Sequence, residues 1–408
     1  MNILVISHMF PKTSDSHYGL FVYDQVKALI ENGHRVTVIS PSPFAPFPLP
    51  YLSQKWKRYA QVPLLMKREE ISFYNPKYVA YPKGFLLNRS GKSVFRSIKT
   101  QCRNLLRFPY DLIHAHVVLP DGSAAQLLSK MLGVPFVVTI HGADFSTTIY
   151  RNPKCMGVVR ETLASAAQVI FVSSKLKNIG EKLFPDLSSR YCIIPNGVNG
   201  RFLVDQQEEN NERPPECLDR FLLLSVSNLI AYKGIEYNLR AVAMVVKKIP
   251  TIHYLIIGDG PIKSELEKLS RELGIEEHVT FIGAVSNEEV KRYMKMCDLF
   301  TLPSWNEAFG IVYLEAMACG KSVIGCMGEG IEDIVSNGET GWLVPPRDSN
   351  ALAERIMHLY RDEKTRVETG MKAKKTVCQH FTWENSVGKM CNLYSEIIAR
   401  GRGGSSST

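Results

Sequence analysis

Two glutamates, Glu307 and Glu315, are the residues of this sequence whose types and spacing most clearly suit chemistry. The stretch around them, EAFGIVYLEAMACG, has Gly310 where a helix would begin and Gly320 where it would end. A helix N-terminus offers unpaired N–H groups and about half a positive charge, which suits a pyrophosphate. Glu315, about one and a half turns along that helix, can accept hydrogen bonds from ribose hydroxyls. The alternative is a solvated helix margin, but such a helix would not need an apolar face between two glycines.

Two further groups of polar and glycine positions follow apolar stretches. Gly258, Gly260 and Pro261 come directly after HYLII, where positions without a side chain let the backbone approach a nucleotide closely. Lys233 follows FLLLSVSN, with Asn228 shortly before it, and a lysine there suits the charge of a leaving diphosphate. Taken singly, the glycine loop is equally a simple turn, and Lys233 is equally a surface lysine. Because neither GxGxxG nor GxxxxGK[ST] occurs, hydride transfer and ATP hydrolysis lose support.

The first half of the chain carries weaker signals of the same kind. His141 and Asp144 follow the apolar stretch VVTI, where an imidazole can hydrogen-bond a sugar hydroxyl or remain an ordinary core histidine. Gly19 lies in the loop after NILVIS, where its backbone N–H can face a diphosphate. The turn PNGV at Asn196 closes this half of the chain.

The elements that must position these residues alternate between strand and helix patterns. NILVIS, FVYDQVKALIENG and HRVTVIS read as a βαβ unit, and the alternation continues along the chain. This pattern predicts two α/β domains, each with a doubly wound parallel sheet. The predicted segments are a first domain at 1–204, a polar linker at 205–219, a second domain at 220–380, a crossover helix at 381–400 and a flexible tail at 401–408.

Composition narrows the class of protein. With 408 residues, 45% apolar and 22% charged, the chain is long enough for two or three domains with buried cores. The nine cysteines form no CxxC pair, which favours reduced thiols over disulfides or zinc. No apolar stretch is long enough to cross a bilayer, and the first residues lack the positive flank of a secretory signal, so a cytoplasmic protein is expected.

Positive charge is concentrated in one segment. Residues 51–110 contain 13 basic and 2 acidic side chains interleaved with aromatic residues, and five prolines precede them between Pro41 and Pro50. This combination suits an anionic membrane surface, which predicts a protein bound peripherally to the inner face of the plasma membrane. A solvated basic face over packed aromatic residues is the alternative, and no nucleic-acid-binding motif accompanies the segment.

Taken together, these motifs resemble the retaining glycosyltransferases of the GT-B fold known as group 1, or family 4. The resemblance covers nearly the whole chain and rests on motifs in family order: the glutamate pair, the Gly258–Pro261 loop, Lys233 with the glycine after it, HGAD at His141 and PNGV. It implies two Rossmann-like doubly wound domains facing across a cleft. The first would bind the acceptor and the second the nucleotide sugar, and the C-terminal helix would return to the first domain.

The resemblance also implies residue roles. Lys233 would contact the donor phosphate, Glu315 the ribose, Glu307 the transferred sugar and His141 the sugar or acceptor, with Gly19 lining the diphosphate. The other donor-binding positions it implies are Asn228, Gly258, Gly260, Pro261, Phe309, Gly310 and Ile311. Two departures stand out: Asn228 occupies the position where the family often has arginine, and Ser304-Trp305-Asn306 replaces smaller residues before the first glutamate.

The implied reaction is hexosyl transfer (EC 2.4) from a nucleotide diphosphate sugar, UDP first and GDP next, to a membrane-associated glycan or lipid-linked acceptor in cell-surface polysaccharide synthesis. Retention in such enzymes is usually explained by same-face attack, in which the leaving phosphate helps to deprotonate the acceptor. Because no DxD motif occurs, no metal and no other cofactor is expected. Two alternatives stay open: a sugar-nucleotide epimerase of similar fold, and a catalytically impaired nucleotide-sugar-binding scaffold. The scaffold is considered because Asn228 replaces the arginine that the family often has.

Overall fold

The chain forms two compact units in a computed structural model, which describes residues 1–12, 18–80, 84–204, 213 and 217–403. The first unit consists of residues 1–195 together with the chain from Ser386 onward. The second unit is the continuous segment Asn196–Asn385. All nine cysteines are free. Within the described ranges, no helix is long and apolar enough to cross a membrane.

The first unit is built on one large sheet whose strands are mostly short apolar runs. Its strands are β1 (Asn2–Ile6), β2 (Arg35–Ile39), β3 (Ser42–Pro43), β4 (Leu65–Arg68), β5 (Ile71–Tyr74), β6 (Lys77–Tyr78), β7 (Leu112–His116), β8 (Phe136–Ile140), β9 (Gln168–Phe171) and β10 (Tyr191–Ile193). Eight of them form a sheet in the order β10-β9-β8-β7-β1-β2-β5-β4, in which only the β4–β5 pairing is antiparallel. The sheet order reverses at β1, which lies between β7 and β2.

Helices connect these strands and pack on the sheet. They are α1 (Leu20–Glu31), α2 (Leu49–Leu52), α3 (Gln54–Gln61), α4 (Ser90–Gln101), α5 (Ser123–Leu132), α6 (Pro153–Ser165) and α7 (Ser174–Leu183). Local capping fixes where several begin: the Asn152 side chain accepts the backbone N–H of Cys155, and Ser173 accepts that of Leu176. β1 and β8 are almost entirely buried, as apolar strands covered by helices on both faces should be.

The second unit repeats the design with a fully parallel sheet. Its strands are β11 (Phe221–Val226), β12 (Ile252–Ile257), β13 (Val279–Gly283), β14 (Leu299–Thr301), β15 (Val323–Cys326) and β16 (Trp342–Val344). Their order is β13-β12-β11-β14-β15-β16, so the sheet order reverses between β11 and β14. The helices are α8 (Ile235–Val245), α9 (Lys263–Glu272), α10 (Asn287–Met296), α11 (Ile311–Ala318), α12 (Ser349–Arg361) and α13 (Glu363–His380).

The last helix, α14 (Trp383–Gly403), contributes most of its length to the first unit. Val387, Met390 and Tyr394 recur at helical spacing and are buried. The hydroxyl of Tyr394 lies 2.7 Å from Nδ1 of His114 on β7, in a fully buried position. The helix thus completes the core of a unit that begins almost four hundred residues earlier.

The predicted fold class is confirmed: both units are doubly wound, and the C-terminal helix belongs to the first of them. The periodicity did not predict β3–β6, β16 or α2–α4, because most of these elements are short and lie in a segment rich in proline and basic residues. The first unit ends at Pro195, nine residues before the predicted boundary, and the predicted linker lies mostly outside the described residues. The helix continues to Gly403, and the rest of the predicted tail also lies outside them.

Candidate functional site

In the second unit, the point where the strand order reverses brings Lys233 and Glu307 together. Lys233 ends the turn after β11 and Glu307 lies in the loop after β14. The Lys233 ammonium donates to Oε2 of Glu307 at 2.6 Å, and the two side chains are only 18% and 12% exposed. Ligands of open α/β sheets bind in the crevice at such a reversal, outside the carboxyl ends of the strands. Two of the three predicted catalytic residues therefore lie side by side at the position where this fold binds ligands.

Close packing of backbone holds the two loops against each other. Gly234 has a φ of 75°, and a side chain there would overlap the carbonyl group of Pro303. The carbonyl oxygen of Tyr232 accepts the backbone N–H of Trp305 at 2.9 Å and the hydroxyl of Ser304 at 3.1 Å. The glycine after Lys233 is thus required by the approach of the next loop, and this contact sets where the lysine stands.

The loop after β15 also holds Glu307 in place, and it was not identified from the sequence. The backbone N–H of Glu307 donates to Oε2 of Glu329 at 2.6 Å, and the N–H of Gly330 donates to the carbonyl oxygen of Glu307 at 3.2 Å. A side chain at Gly330 would overlap the backbone of Ala308. The only signal in the sequence was a glutamate between two glycines, Gly328 and Gly330, directly after the strand pattern KSVIGC.

Helix α11 begins at the predicted glycine. Gly310 has a φ of 97°, and a side chain there would strike the ring of Tyr313, whose hydroxyl donates to the carbonyl oxygen of Leu302. Ile311 starts the helix, so the first backbone N–H groups point out at the loop end of the sheet. Phe309 is buried, so only its backbone is available to a ligand. Glu315 is half-buried on this helix.

The C-terminus of α11 also follows the prediction. The N–H of Gly320 donates to the carbonyl oxygen of Met317 at 2.9 Å, and that of Lys321 donates to Ala316 at 3.1 Å. Gly320 has a φ of 74°. This hydrogen-bond pattern is a Schellman motif, for which glycine is preferred.

The glycines after β12 are required by contact with a neighbouring loop, not by the approach to a nucleotide that the sequence suggested. A side chain at Gly258 would overlap the carbonyl oxygen of Ser227, and one at Gly260 would overlap that of Leu229. The close approach in the structure is therefore to the neighbouring loop after β11. That same loop carries Asn228, which is exposed, as is Pro261. The predicted donor-binding roles of these residues remain predictions.

The tryptophan that replaces a smaller residue before Glu307 has clear packing partners. The Trp305 ring meets that of Tyr237 edge-on with centroids 5.4 Å apart, and the guanidinium carbon of Arg347 lies 4.7 Å from the Trp305 ring centroid. A cation over an aromatic face is attracted by the ring quadrupole. The ring is thus fixed from two sides, two residues before Glu307 in the same loop.

In the first unit, the reversal at β1 brings together His8 and Asp121, which the sequence did not single out. Nδ1 of His8 lies 2.7 Å from Oδ2 of Asp121, and the backbone N–H of His8 donates to the same oxygen at 2.8 Å. Asp121 is completely buried, and the His8 side chain is 28% exposed. The two residues are far apart in the chain, so no local pattern links them.

The predicted His141 belongs to a column of three histidine rings. His114 stacks on His116 with ring centroids 4.4 Å apart, and Nδ1 of His116 lies 3.0 Å from Nε2 of His141. Nε2 of His114 meets the hydroxyl of Thr139 at 2.7 Å. His141 therefore stands at the end of a row of rings, joined by hydrogen bonds at His116–His141 and His114–Tyr394 and by stacking between His114 and His116.

Asp144 and Gly19 have structural partners of their own. Asp144 is buried and accepts the backbone N–H of Val118 at 2.6 Å and that of His141 at 3.3 Å, so it ties the loops after β7 and β8 together. Gly19 has a φ of 76° at the start of α1, and a side chain there would overlap the backbone of Met9. Both residues belong to the first unit, whereas the Lys233–Glu307 pair belongs to the second.

Burial determines the ionisation of the three stacked histidines and of Asp144. It lowers the pKa of His114 and of His141 to about 3, and lowers that of His116 well below its ordinary value. Burial also raises the pKa of Asp144 to about 6, against the backbone N–H groups that favour its charged form. The three histidines are thus neutral at neutral pH, and each can donate and accept one hydrogen bond.

Comparison with known proteins covers both units. The family model described as "Glycosyl transferases group 1" matches residues 206–376, and that of "Glycosyltransferase Family 4" matches residues 19–201. TuaC of Bacillus subtilis, a glycosyltransferase assigned to teichuronic acid biosynthesis, is 29% identical over 400 residues, which are 97% of this chain and 99% of that protein.

Solved structures agree on the fold. Sucrose-phosphate synthase from Thermosynechococcus elongatus superposes with a TM-score of 0.76 at 22% identity, over 98% of this chain and all of that one. Anabaena HepE in complex with UDP and glucose superposes with a TM-score of 0.69 at 19% identity, over 97% and 100% of the two chains.

Acidification is expected to destabilise the first unit. The folded-state pKa of His114 and of His141 is about 3, below the ordinary 6.5. Each of these histidines therefore lowers the free energy of unfolding by about 1.4 kcal/mol per pH unit as the pH falls below 6.5. Asp144 acts in the opposite sense, since its pKa of about 6 means that protonation relieves its burial as the pH falls. The histidines outnumber this carboxyl, so the calorimetric unfolding midpoint should fall from pH 7 to pH 5.

A variant of the column isolates this effect. His114→Gln keeps a hydrogen-bond donor and an acceptor at this position. It should reduce the number of protons taken up on unfolding between pH 7 and pH 5 by about one, and so weaken the pH dependence of stability. His380→Gln, at an exposed histidine of the second unit, is the matched control and should behave like the unchanged protein. Equal midpoints at pH 7 and pH 5 for the first unit would contradict the neutral column.

Gly258→Ala is expected to destabilise the second unit by about 3 kcal/mol or more, because the new methyl group meets the backbone of Ser227. Gly274→Ala is the matched control: Gly274 also has a positive φ, of 66°, but open space around it. It should cost only about 1 kcal/mol of backbone strain. Urea unfolding measures both, and equal losses would show that the loop after β11 yields to the methyl group.

Proposed function

The chain belongs to the group 1 glycosyltransferases of the GT-B fold, and from that premise we propose that it transfers a hexose from a UDP-sugar to a glycan or lipid-linked acceptor with retention of anomeric configuration. The observation that carries the proposal is the Lys233–Glu307 pair at the strand reversal of the second unit, next to the N-terminus of α11.

The donor diphosphate is proposed to lie between the Lys233 ammonium and the backbone N–H groups at the start of α11. A lysine and a helix N-terminus are both suited to phosphate oxygens, and both stabilise negative charge that grows on the leaving group. When the ammonium turns to the phosphate, Glu307 is released to hydrogen-bond the transferred sugar. Glu315, further along the helix, is proposed to accept the ribose hydroxyls. The UDP and glucose bound to HepE, a chain of the same fold, support this choice of donor.

The leaving diphosphate is proposed to be stabilised without a metal ion. Lys233 and the α11 N-terminus supply the positive charge that a divalent ion supplies elsewhere. The leaving phosphate itself would then take the proton of the acceptor hydroxyl on the same face, so no protein nucleophile is required.

The acceptor is proposed to be a glycan of the cell envelope held near a membrane. The name of TuaC, which refers to teichuronic acid biosynthesis, supports a polysaccharide product. In the first unit, α2 and the residues before it expose Phe47, Tyr51 and Leu52 at 84%, 82% and 73% of their surface. Basic residues of α3 follow at once, and exposed aromatic groups beside lysine and arginine suit the interface of an anionic bilayer.

Glu315→Ala is expected to lose the thermal shift that UDP-sugars give to the unchanged protein, because the ribose hydroxyls lose their acceptor. The measurement is a thermal-shift and hydrolysis screen against UDP-, GDP- and ADP-sugars in the presence of EDTA. Lys233→Gln should retain some UDP binding but lower the hydrolysis rate by about a hundredfold or more.

The matched controls are Glu272→Ala on α9 and Lys248→Gln after α8, both exposed positions in the same unit. They should keep both the shift and the hydrolysis. A screen in which no nucleotide sugar shifts the unchanged protein would leave the donor proposal without support, and hydrolysis that needs an added divalent ion would refute metal independence.

The double variant Phe47→Ser/Tyr51→Ser is expected to release the protein from anionic vesicles. Sedimentation with phosphatidylglycerol liposomes should bind the unchanged protein about tenfold more strongly than the variant, with neutral phosphatidylcholine vesicles as the lipid control. Val367→Ser, at an exposed apolar position of the second unit, is the protein control. The membrane proposal would be refuted if the unchanged protein, the double variant and Val367→Ser sedimented equally with anionic vesicles. It would also be refuted if the unchanged protein did not sediment with them.

A further inference from the structure

The first unit contains a cavity of about 510 Å³ beside the loop that follows β1. α3 forms one wall, and the rings of Phe10, Tyr59 and Tyr78 line the interior. Aromatic walls of this kind pack well against the C–H faces of a sugar ring. The donor site proposed above lies in the second unit and does not use this cavity.

A half-buried lysine gives the cavity its charge. The Lys12 ammonium donates to the carbonyl oxygens of His8 at 3.3 Å and Pro41 at 3.0 Å. An ammonium has three N–H donors, so one remains for a ligand. Burial lowers the pKa of Lys12 to about 7, although the Asp121 carboxylate nearby acts to raise it. An anionic group in the cavity would favour the charged form of this amine.

Two more cations come from α3. Lys55 and Arg58 are three positions apart, hence on one side of the helix, and both line the cavity. Within the part of the chain that the structure describes, neither has a carboxylate partner. Arginine binds a carboxylate through two parallel hydrogen bonds, which makes Arg58 suited to an acidic sugar.

His8 supplies a group for a sugar hydroxyl. Its Nδ1 is held by the buried Asp121 at 2.7 Å, and its partly exposed ring lines the cavity. When Nδ1 carries the proton for that carboxylate, Nε2 is left as a hydrogen-bond acceptor. The cavity therefore combines an acceptor for hydroxyl groups, apolar walls and three basic side chains.

We infer that this cavity binds the acceptor and that the acceptor carries an acidic sugar, whose carboxylate lies among Lys12, Lys55 and Arg58. The inference rests on the proposed sugar transfer for the role of the ligand as acceptor. The binding site itself depends on residues of the first unit alone.

The test uses three small probes on the full chain: 4-nitrophenyl β-D-glucuronide, 4-nitrophenyl β-D-glucoside and 4-nitrophenyl phosphate. The first two differ only in the carboxylate at C6, and the third has the charge without the sugar. Titration calorimetry, supported by saturation-transfer NMR, should give the glucuronide at least about tenfold tighter binding than either of the others.

Two variants locate the site. Arg58→Gln, at an exposed position of α3, cannot unfold the core and should reduce the preference for glucuronide over glucoside to less than about threefold. Lys12→Met keeps the length of the side chain without its charge and should do the same. Lys57→Gln, exposed on the same helix but outside this cavity, is the matched control and should keep the full preference.

The outcomes separate the inference from the proposed function. Equal binding of the glucuronide and the glucoside, no binding of either, or an unchanged preference in Arg58→Gln would overturn the acidic-sugar site. Phosphate binding as tight as glucuronide binding would overturn it too, since the cavity would then recognise charge alone. Hydrolysis of UDP-sugars is measured in parallel: if it persists while the glucuronide preference is absent, only the acceptor inference fails.

Discussion

The reversal of strand order in each parallel sheet is the constraint on which the rest of this structure depends. In the first sheet the order turns at β1 and β7, and in the second at β11 and β14. The helices that follow the two strands of such a reversal leave toward opposite faces of the sheet, and a crevice forms outside the carboxyl ends of these strands. Each crevice holds one bonded pair of polar side chains, His8 with Asp121 and Lys233 with Glu307. Both pairs join residues more than seventy positions apart, and topology alone brings them together.

Backbone contact between loops gives these pairs their fixed positions. Gly234, Gly258 and Gly330 each stand where a side chain would overlap the carbonyl oxygen of a neighbouring loop. The loops around Lys233 and Glu307 therefore pack backbone against backbone, and the N–H groups of Trp305 and Gly330 add hydrogen bonds between them. Functional groups are most precise when the supporting structure leaves them no alternative position. These three glycines thus serve the rigidity of the loops that carry the Lys233–Glu307 pair.

The sequence predicted the architecture well because most elements are either short apolar strands or amphipathic helices, whose sequence periods differ clearly. It also predicted the helix between Gly310 and Gly320 and singled out Lys233 and Glu307, which the structure brings together, since glycines at element ends and charged residues after strands are local signals. It did not identify His8, Asp121 or Glu329, whose partners are remote in the chain. The same limit applies to the cavity of the first unit, which is lined from the loop after β1, from α3 and from β6. No window along the sequence contains all three.

The C-terminal helix has a consequence for how the protein is made. Val387, Met390 and Tyr394 complete the core of a unit whose other residues are synthesised before the whole of the second unit. Domains generally fold as units while the ribosome is still translating, beginning from the N-terminus. Here the order is inverted: the second unit is continuous and can fold as soon as it is synthesised, whereas the first must wait for α14, which follows the second unit in the chain. Until α14 has been synthesised, the apolar face that it later covers stays open to water and to other chains, which favours aggregation.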